Sequence, residues 1–211
     1  MKEIIIKRNE AGQRLDKLLG KYLDLAPKGF IYKMLRKKNI TLNGKKCDGS
    51  EKVLAGDEIK VFLAEETIEK FSKAQNRPAK KVRLDILYED DHILLINKPA
   101  GMLSQKAKED DESLVEYVTG YLLDTGAVTP RQLKTFRPGV CNRLDRNTSG
   151  LVVAGKSLAG LQGMARVFKD RSLHKYYQCL VNGQVTEKKL IAGFLRKDEA
   201  ANTVTVYPLE V

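Results

Sequence analysis

The sequence predicts an α+β chain made of two folded parts joined by a polar linker. Three features predict it. The first forty residues place leucine and isoleucine at helical spacing, then pass into short β-branched runs around Asn-Gly and Gly turns. Residues 65–83, EETIEKFSKAQNRPAKKVR, are polar, contain Pro78 and end in a basic cluster, which suits a linker. Beyond them, short apolar runs bounded by Pro and Gly outnumber helical patterns, as in a mixed-sheet α+β domain. The predicted parts are therefore residues 1–64 and 84–211, with 65–83 between them.

Leu15, Leu18, Leu19 and Leu23 predict a helix over 14–23. Pro27 suits the first turn of a second helix over 27–38, whose inner stripe is Phe30, Ile31, Met34 and Leu35. Residues 39–46, NITLNGKK, predict a short strand entering an Asn-Gly turn, and 57–63, DEIKVFL, predict another strand after Gly56. In the second part, ILYEDDHILLIN at 86–97 predicts two strand pieces around an acidic turn, ended by Pro99 and Gly101. Residues 112–123 have helical spacing, and the acidic run from Glu109 to Glu112 reads as the N-terminal cluster of that helix. Residues 124–142 are loop-like. A strand at 151–155, a helix at 158–169 and strands at 175–182 and 203–207 complete the expectation.

Composition excludes several classes. No apolar run approaches the roughly 18 residues needed to span a bilayer, and the N-terminal MKEIIIKRNE is too short and too charged for a secretory signal. Cys47, Cys141 and Cys179 are odd in number and far apart, which excludes a disulfide scaffold and a CxxC metal clasp and fits a reducing cytoplasm. His92 and His174 have no carboxylate or cysteine cluster around them in sequence, so no metal site is expected.

Charge is concentrated at one end. The chain has a formal net charge of +11, and residues 1–83 hold 21 basic against 11 acidic side chains, whereas the rest is nearly balanced. Such a bias points to a polyanion, and without a strongly amphipathic apolar face a nucleic acid fits better than a membrane. From Pro27 to Lys46 there are seven basic residues and no acidic one. Arg14, Lys28, Lys33, Arg36, Lys37, Lys38, Asn43 and Lys45 are the candidate RNA contacts, since cations on a helix beside a tight turn can straddle a phosphate backbone. The segment resembles the S4 RNA-binding domain, through Arg14-Leu15-Asp16 and through Gly29 to Lys45 with its Leu42-Asn43-Gly44 turn; Pro27-Lys28 stands where S4 domains often carry Ser-Arg.

The chemistry candidate is CNRLDRNTSG at 141–150. Asp145 sits between Arg143 and Arg146, where nearby cations favour the ionised carboxylate, and an ionised aspartate suits a nucleophile or base rather than a general acid. The hydroxyls of Thr148 and Ser149 can fix the turn locally. Taken alone, this spacing fits a salt-bridged aspartate at a turn better than it fits a catalytic one.

Three segments in order change the reading: Tyr88-Glu89-Asp90-Asp91 through Asn97-Lys98-Pro99-Ala100-Gly101-Met102, then Asn142-Arg143-Leu144-Asp145 through Thr148-Ser149-Gly150-Leu151, then Lys175-Tyr176-Tyr177 through Val181-Asn182-Gly183. Together they resemble the RluA-type pseudouridine synthases, many of which carry an S4 domain in front. The resemblance implies a small S4-like α/β RNA-binding domain followed by a pseudouridine synthase catalytic domain. It implies that Asp145 attacks the uracil ring or the ribose anomeric carbon of a uridine flipped out of its stack. It further implies that Arg143 fills the space left behind and that Tyr177 packs against the flipped base, a position that would otherwise read as a core strand aromatic. Asn142 and Thr148 complete the expected substrate-binding set. No metal, nucleotide or redox cofactor is implied. The expected partner is RNA, ribosomal in preference to transfer RNA, and the expected state is a cytoplasmic monomer.

Two departures accompany the resemblance. Asn142 stands where many members have histidine. The family's catalytic domains also continue past residue 211 through a Gly-Arg-x-His-Gln-Ile-Arg-like segment that this chain lacks, so an incomplete catalytic domain is expected, with an open sheet edge and exposed apolar surface. Two functions follow: an RNA pseudouridine synthase, or an RNA-binding protein whose catalytic half is idle. A DNA binder has only the charge to support it.

Overall fold

In the computed structural model, residues 1–72, 82–108, 110–190, 192–198, 200–201 and 203–208 are described. Two compact units emerge, Met1–Leu173 and His174–Val211.

The first unit opens with a three-stranded antiparallel sheet in the order β1-β3-β2, from β1 (Lys2–Ile5), β2 (Ile40–Leu42) and β3 (Glu58–Val61). Helices α1 (Leu15–Tyr22) and α2 (Lys28–Arg36) form where the leucine spacing and Pro27 predict them. Leu15, Leu18, Leu19 and Leu23 are fully buried and join Ile31, Met34 and Leu35 of α2 against Ile40, Ile59 and Val61. Each such side chain withdrawn from water stabilises the module by about 1.5–3 kcal/mol. Strand β1 is not among the expected elements. Its three consecutive isoleucines hide the alternation that the structure reveals, with Ile4 and Ile6 buried and Ile5 exposed.

The Asn43-Gly44 turn has positive φ at both residues, 51° and 72°, which is what a two-residue hairpin turn of type I′ requires. Part of the expected linker is ordered differently. Residues Glu65–Lys70 form helix α3, whose Ile68 is buried in the N-terminal core, and Phe71 packs on Phe30 with ring centroids 4.5 Å apart. Pro78 and the rest of 73–81 lie outside the described residues.

The second sheet runs β4-β5-β7-β6, from β4 (Ile86–Glu89), β5 (Ile93–Lys98), β6 (Gly139–Val140) and β7 (Gly150–Gly155), with every pair antiparallel. Central β5 pairs with β7 along its whole length, from Ile93 opposite Gly155 to Lys98 opposite Gly150. Helix α4 (Leu114–Asp124) lays Leu114, Val118 and Leu122 on Leu94, Ile96, Val152 and Ala154. Of the acidic run expected to open this helix, Glu109 lies outside the described residues, and Asp110, Asp111 and Glu112 precede the helix rather than opening it. Asp111 accepts the backbone N–H groups of Ala107 and Lys108, while Glu116 accepts the Ser113 N–H and O–H and so closes the first turn. Helix α5 (Leu158–Lys169) tolerates Gly160 for a reason: a Cβ there would stand 2.1 Å from the carbonyl oxygen of His92.

The N-terminal module joins the second sheet through a polar seam within this unit. Gln13 donates to the carbonyls of Glu10 (2.9 Å) and Thr135 (3.3 Å), and the Thr135 hydroxyl donates to the Glu10 carboxylate. Arg137 pairs with Asp24 at 2.7 Å, and Asn9 accepts the N–H of Leu158.

The unit His174–Val211 holds one antiparallel hairpin, β8 (Gly193–Asp198) with β9 (Thr203–Pro208). Strand β9 covers the expected 203–207, whereas β8 was not expected. The strand expected at 175–182 is absent, and residues 174–190 form neither helix nor strand. The β-propensity of KYYQCLVN is real, but β8 and β9 pair with each other and neither pairs with this segment. Every side chain described in this unit is exposed, Leu180, Leu190, Phe194 and Leu195 among them.

Candidate active site

Asp145 lies in the loop between β6 and β7, and neighbouring backbone is stitched to it on both sides. Cys141 N–H donates to the Val153 carbonyl at 2.7 Å, prolonging the β6–β7 pairing. Asn142 then uses both ends of its amide on β7: its Nδ2 donates to the Leu151 carbonyl (3.0 Å) and its Oδ1 accepts the Val153 N–H (2.8 Å). The Ser104 hydroxyl donates to the Leu144 carbonyl (2.6 Å) and accepts the Leu144 N–H (3.0 Å). Gly101, at φ +88°, donates its N–H to the Arg146 carbonyl at 2.7 Å, and Thr148 N–H returns to the Asp145 carbonyl at 3.1 Å.

Beneath the loop lies Lys98. Its side chain is fully buried, and its ammonium donates to the carbonyls of Pro99 (3.0 Å), Met102 (2.8 Å) and Arg146 (3.3 Å). Burial lowers its pKa, and the negative charge of Asp145 works against that shift. Lys98 thus senses the Asp145 charge, whereas neither Arg143 nor Arg146 makes an ion pair with Asp145 among the described residues. The buried cation that feels the charge of this carboxylate is therefore one that the flanking-arginine argument does not supply. Asp145, Arg143 and Arg146 are all exposed, so the loop holds a rigid backbone under open side chains.

Burial pushes the Cys141 thiol up to about 11, which keeps it protonated and unreactive at neutral pH. Asn142 is occupied in anchoring the loop. Thr148 is half-buried at the turn, with its N–H on Asp145. Tyr177 lies in the second unit, 65% exposed and outside any strand. A cleft of about 820 Å³ between β1 and residues 129–135 includes no residue of loop 141–149.

The basic face is laid out as expected on α2 and the following turn. Lys28, Lys33, Arg36, Lys37, Lys38 and Lys45 are exposed, and none forms an ion pair among the described residues. Two candidates differ. Arg14 is bound in a fork by Asp16 at 3.0 and 3.1 Å, and the Asn43 amide bridges Asp57 and the N–H of Glu58. Both are held by the module itself.

A family model described as RNA pseudouridylate synthase matches residues 92–207, more than half of the chain. The chain belongs to the RNA pseudouridylate synthase family. The S4 domain model matches residues 13–59 ahead of it. Among curated relatives, the ribosomal large subunit pseudouridine synthase C of Vibrio cholerae is 31% identical over 215 residues, covering 97% of this chain and 64% of the relative. The protein of the same name from Escherichia coli K12 is 32% identical over 192 residues, 87% of this chain and 55% of the relative. The chain thus spans about three-fifths of the length of these family members. A solved structure of human RNA pseudouridylate synthase domain containing 4 aligns at 21% identity over 41% of this chain and 30% of that one, with a TM-score of 0.33.

Within this pseudouridylate synthase fold, the residues missed at the sequence level are Lys98 and Ser104. Lys98 was legible in principle: it follows Leu94 and Ile96 at every second position of β5 and must share their inward face. Ser104 carries no such signal, because its contact with Leu144 spans 40 residues of chain.

Proposed function

We propose that this chain is an RNA pseudouridine synthase that isomerises specific uridines of ribosomal RNA, with Asp145 as the nucleophile. The observation that carries the proposal is an exposed carboxylate on a loop whose backbone is pinned at Asn142, Leu144 and Arg146 over a buried lysine. Such a loop presents one oxygen in a fixed place without tying up the carboxylate itself. Asp145 would bond to the uracil ring or the anomeric carbon, the glycosidic bond at N1 would break, and the turned base would join C5 to the anomeric carbon; C5 loses its proton, N1 gains one, and the bond to Asp145 breaks to restore the carboxylate. Arg143 would occupy the gap left by the extruded uridine, Tyr177 would pack on the base, and Thr148 would hold the turn beside the nucleophile.

The basic face of α2 supports RNA as the partner, because several unpaired cations on one surface gain by releasing counterions from a phosphate backbone. The ribosomal target rests on the names of the relatives, which specify the large ribosomal subunit. No described helix is long and apolar enough to cross a membrane, and Cys47, Cys141 and Cys179 are free thiols; a cytoplasmic monomer remains part of the proposal. The test is nucleoside chromatography of unmodified large-subunit ribosomal RNA after incubation with the purified chain. New pseudouridine supports the proposal. RNA binding without any pseudouridine points instead to a binding protein with an idle catalytic half.

A further inference from the structure

On α2 the residues Lys28, Tyr32 and Arg36 stand four apart and so lie on one stripe of the helix, which borders the buried stripe of Ile31, Met34 and Leu35. An aromatic ring is thereby set between two cations on the basic face, and Tyr32 remains 44% exposed. Its hydroxyl is already engaged: it donates to Asp16 Oδ2 at 2.9 Å, and the same carboxylate takes the fork from Arg14. This hydrogen bond raises the Tyr32 pKa and keeps the phenol neutral. The edge of the ring is backed by the loop at Gly49, whose φ is +98° and whose added Cβ would stand 3.4 Å from Tyr32 Cε1 and 3.2 Å from Asp16. The ring is therefore steadied at its hydroxyl and along one edge. Among the described residues it has no stacked aromatic and no cation over its face; Phe30, two residues away, already has Phe71.

We propose that Tyr32 is a stacking platform for an unpaired nucleobase of RNA held on the basic face, with Asp16 as the residue that positions it. The proposal rests on the RNA-binding reading of the N-terminal module and adds to it a preference. Lysines and arginines on this face grip phosphate charge in paired and unpaired RNA alike, whereas a ring face is useful only to a base that is free of its own stack. Arg14 stands beside the ring in a fixed orientation, so the platform and one cation are presented together.

The chain contains no tryptophan, so the indole of a Y32W variant reports on this position alone. The probes are an RNA hairpin with an unpaired loop and a blunt RNA duplex with the same number of phosphates. Both should raise the anisotropy signal of binding, but only the hairpin should quench the Y32W emission. Y32A should bind the hairpin about tenfold more weakly, with the duplex unaffected and the salt dependence of binding unchanged, because no phosphate contact is lost. Y32F, which keeps the ring, should retain most of the affinity. Hairpin binding with unaltered Y32W emission, or Y32A affinity equal to wild type, overturns the platform while leaving RNA binding intact. Failure of wild type to bind either RNA overturns the RNA-binding reading and this proposal with it. If Y32A proves destabilised in thermal melts, the Y32W emission still decides.

Discussion

Lys98 follows Leu94 and Ile96 along the inward face of β5, yet it ends in an ammonium rather than a methyl group. Three backbone carbonyls, those of Pro99, Met102 and Arg146, turn toward that charge, and two of them belong to the chain just after β5. The third belongs to the residue after Asp145, so one buried cation ties the strand end to the candidate nucleophile loop. K98M keeps the stem that fills the core and removes all three donors. It should lower stability by about 1–3 kcal/mol, the cost of leaving buried acceptors unpaired, measured by urea unfolding. Its single-turnover rate on RNA should fall while RNA affinity stays at the wild-type value, because the basic face is untouched. Equal loss of affinity and rate would show that Lys98 supports the whole fold rather than the loop.

Elements were legible where the sequence carried its own period or turn chemistry. The leucine spacing of α1, Pro27 ahead of α2, the Asn43-Gly44 turn and the short strand β7 all fall where local rules place them. What was not legible depends on partners distant in sequence: β1 is visible only once it pairs with β3, and KYYQCLVN is paired by neither β8 nor β9. The candidate site divides in the same way. CNRLDRNTSG by itself reads as a salt-bridged turn and only the order of three segments singles out Asp145 as a candidate, while the Asn142 anchor, the Ser104 clamp and the Lys98 tie could be seen only in the fold. At the end of α2, Lys38 takes φ 60°, a left-handed position that costs a side-chain-bearing residue about 1 kcal/mol and suits glycine. K38G should therefore raise stability by about 0.5–1 kcal/mol in thermal unfolding while removing one cation from the RNA face. A loss of stability would mean that the lysine stem packs on the helix end more strongly than its backbone strain costs.

At the scale of the whole unit Met1–Leu173, a basic module is fixed to the second sheet by polar bonds rather than by a shared apolar core. Such a seam sets the orientation of the module through few groups, and Glu10 and Thr135 are its most enclosed pair, at 5% and 3% exposure. T135V removes the hydroxyl that the Glu10 carboxylate accepts and leaves that carboxylate short of a donor, at a cost of about 1–3 kcal/mol. Proteolysis or hydrogen exchange should then show the N-terminal module loosening before the second sheet; simultaneous loosening would mean that the two fold as one. The central claim is that a single carboxylate, that of Asp145, does the chemistry. Tritium release from RNA labelled at uridine C5 tests it most directly, because loss of the C5 proton accompanies the new carbon–carbon bond. Wild type should release tritium, and D145N should release none while binding the RNA as tightly as before. Undiminished release by D145N would contradict the account.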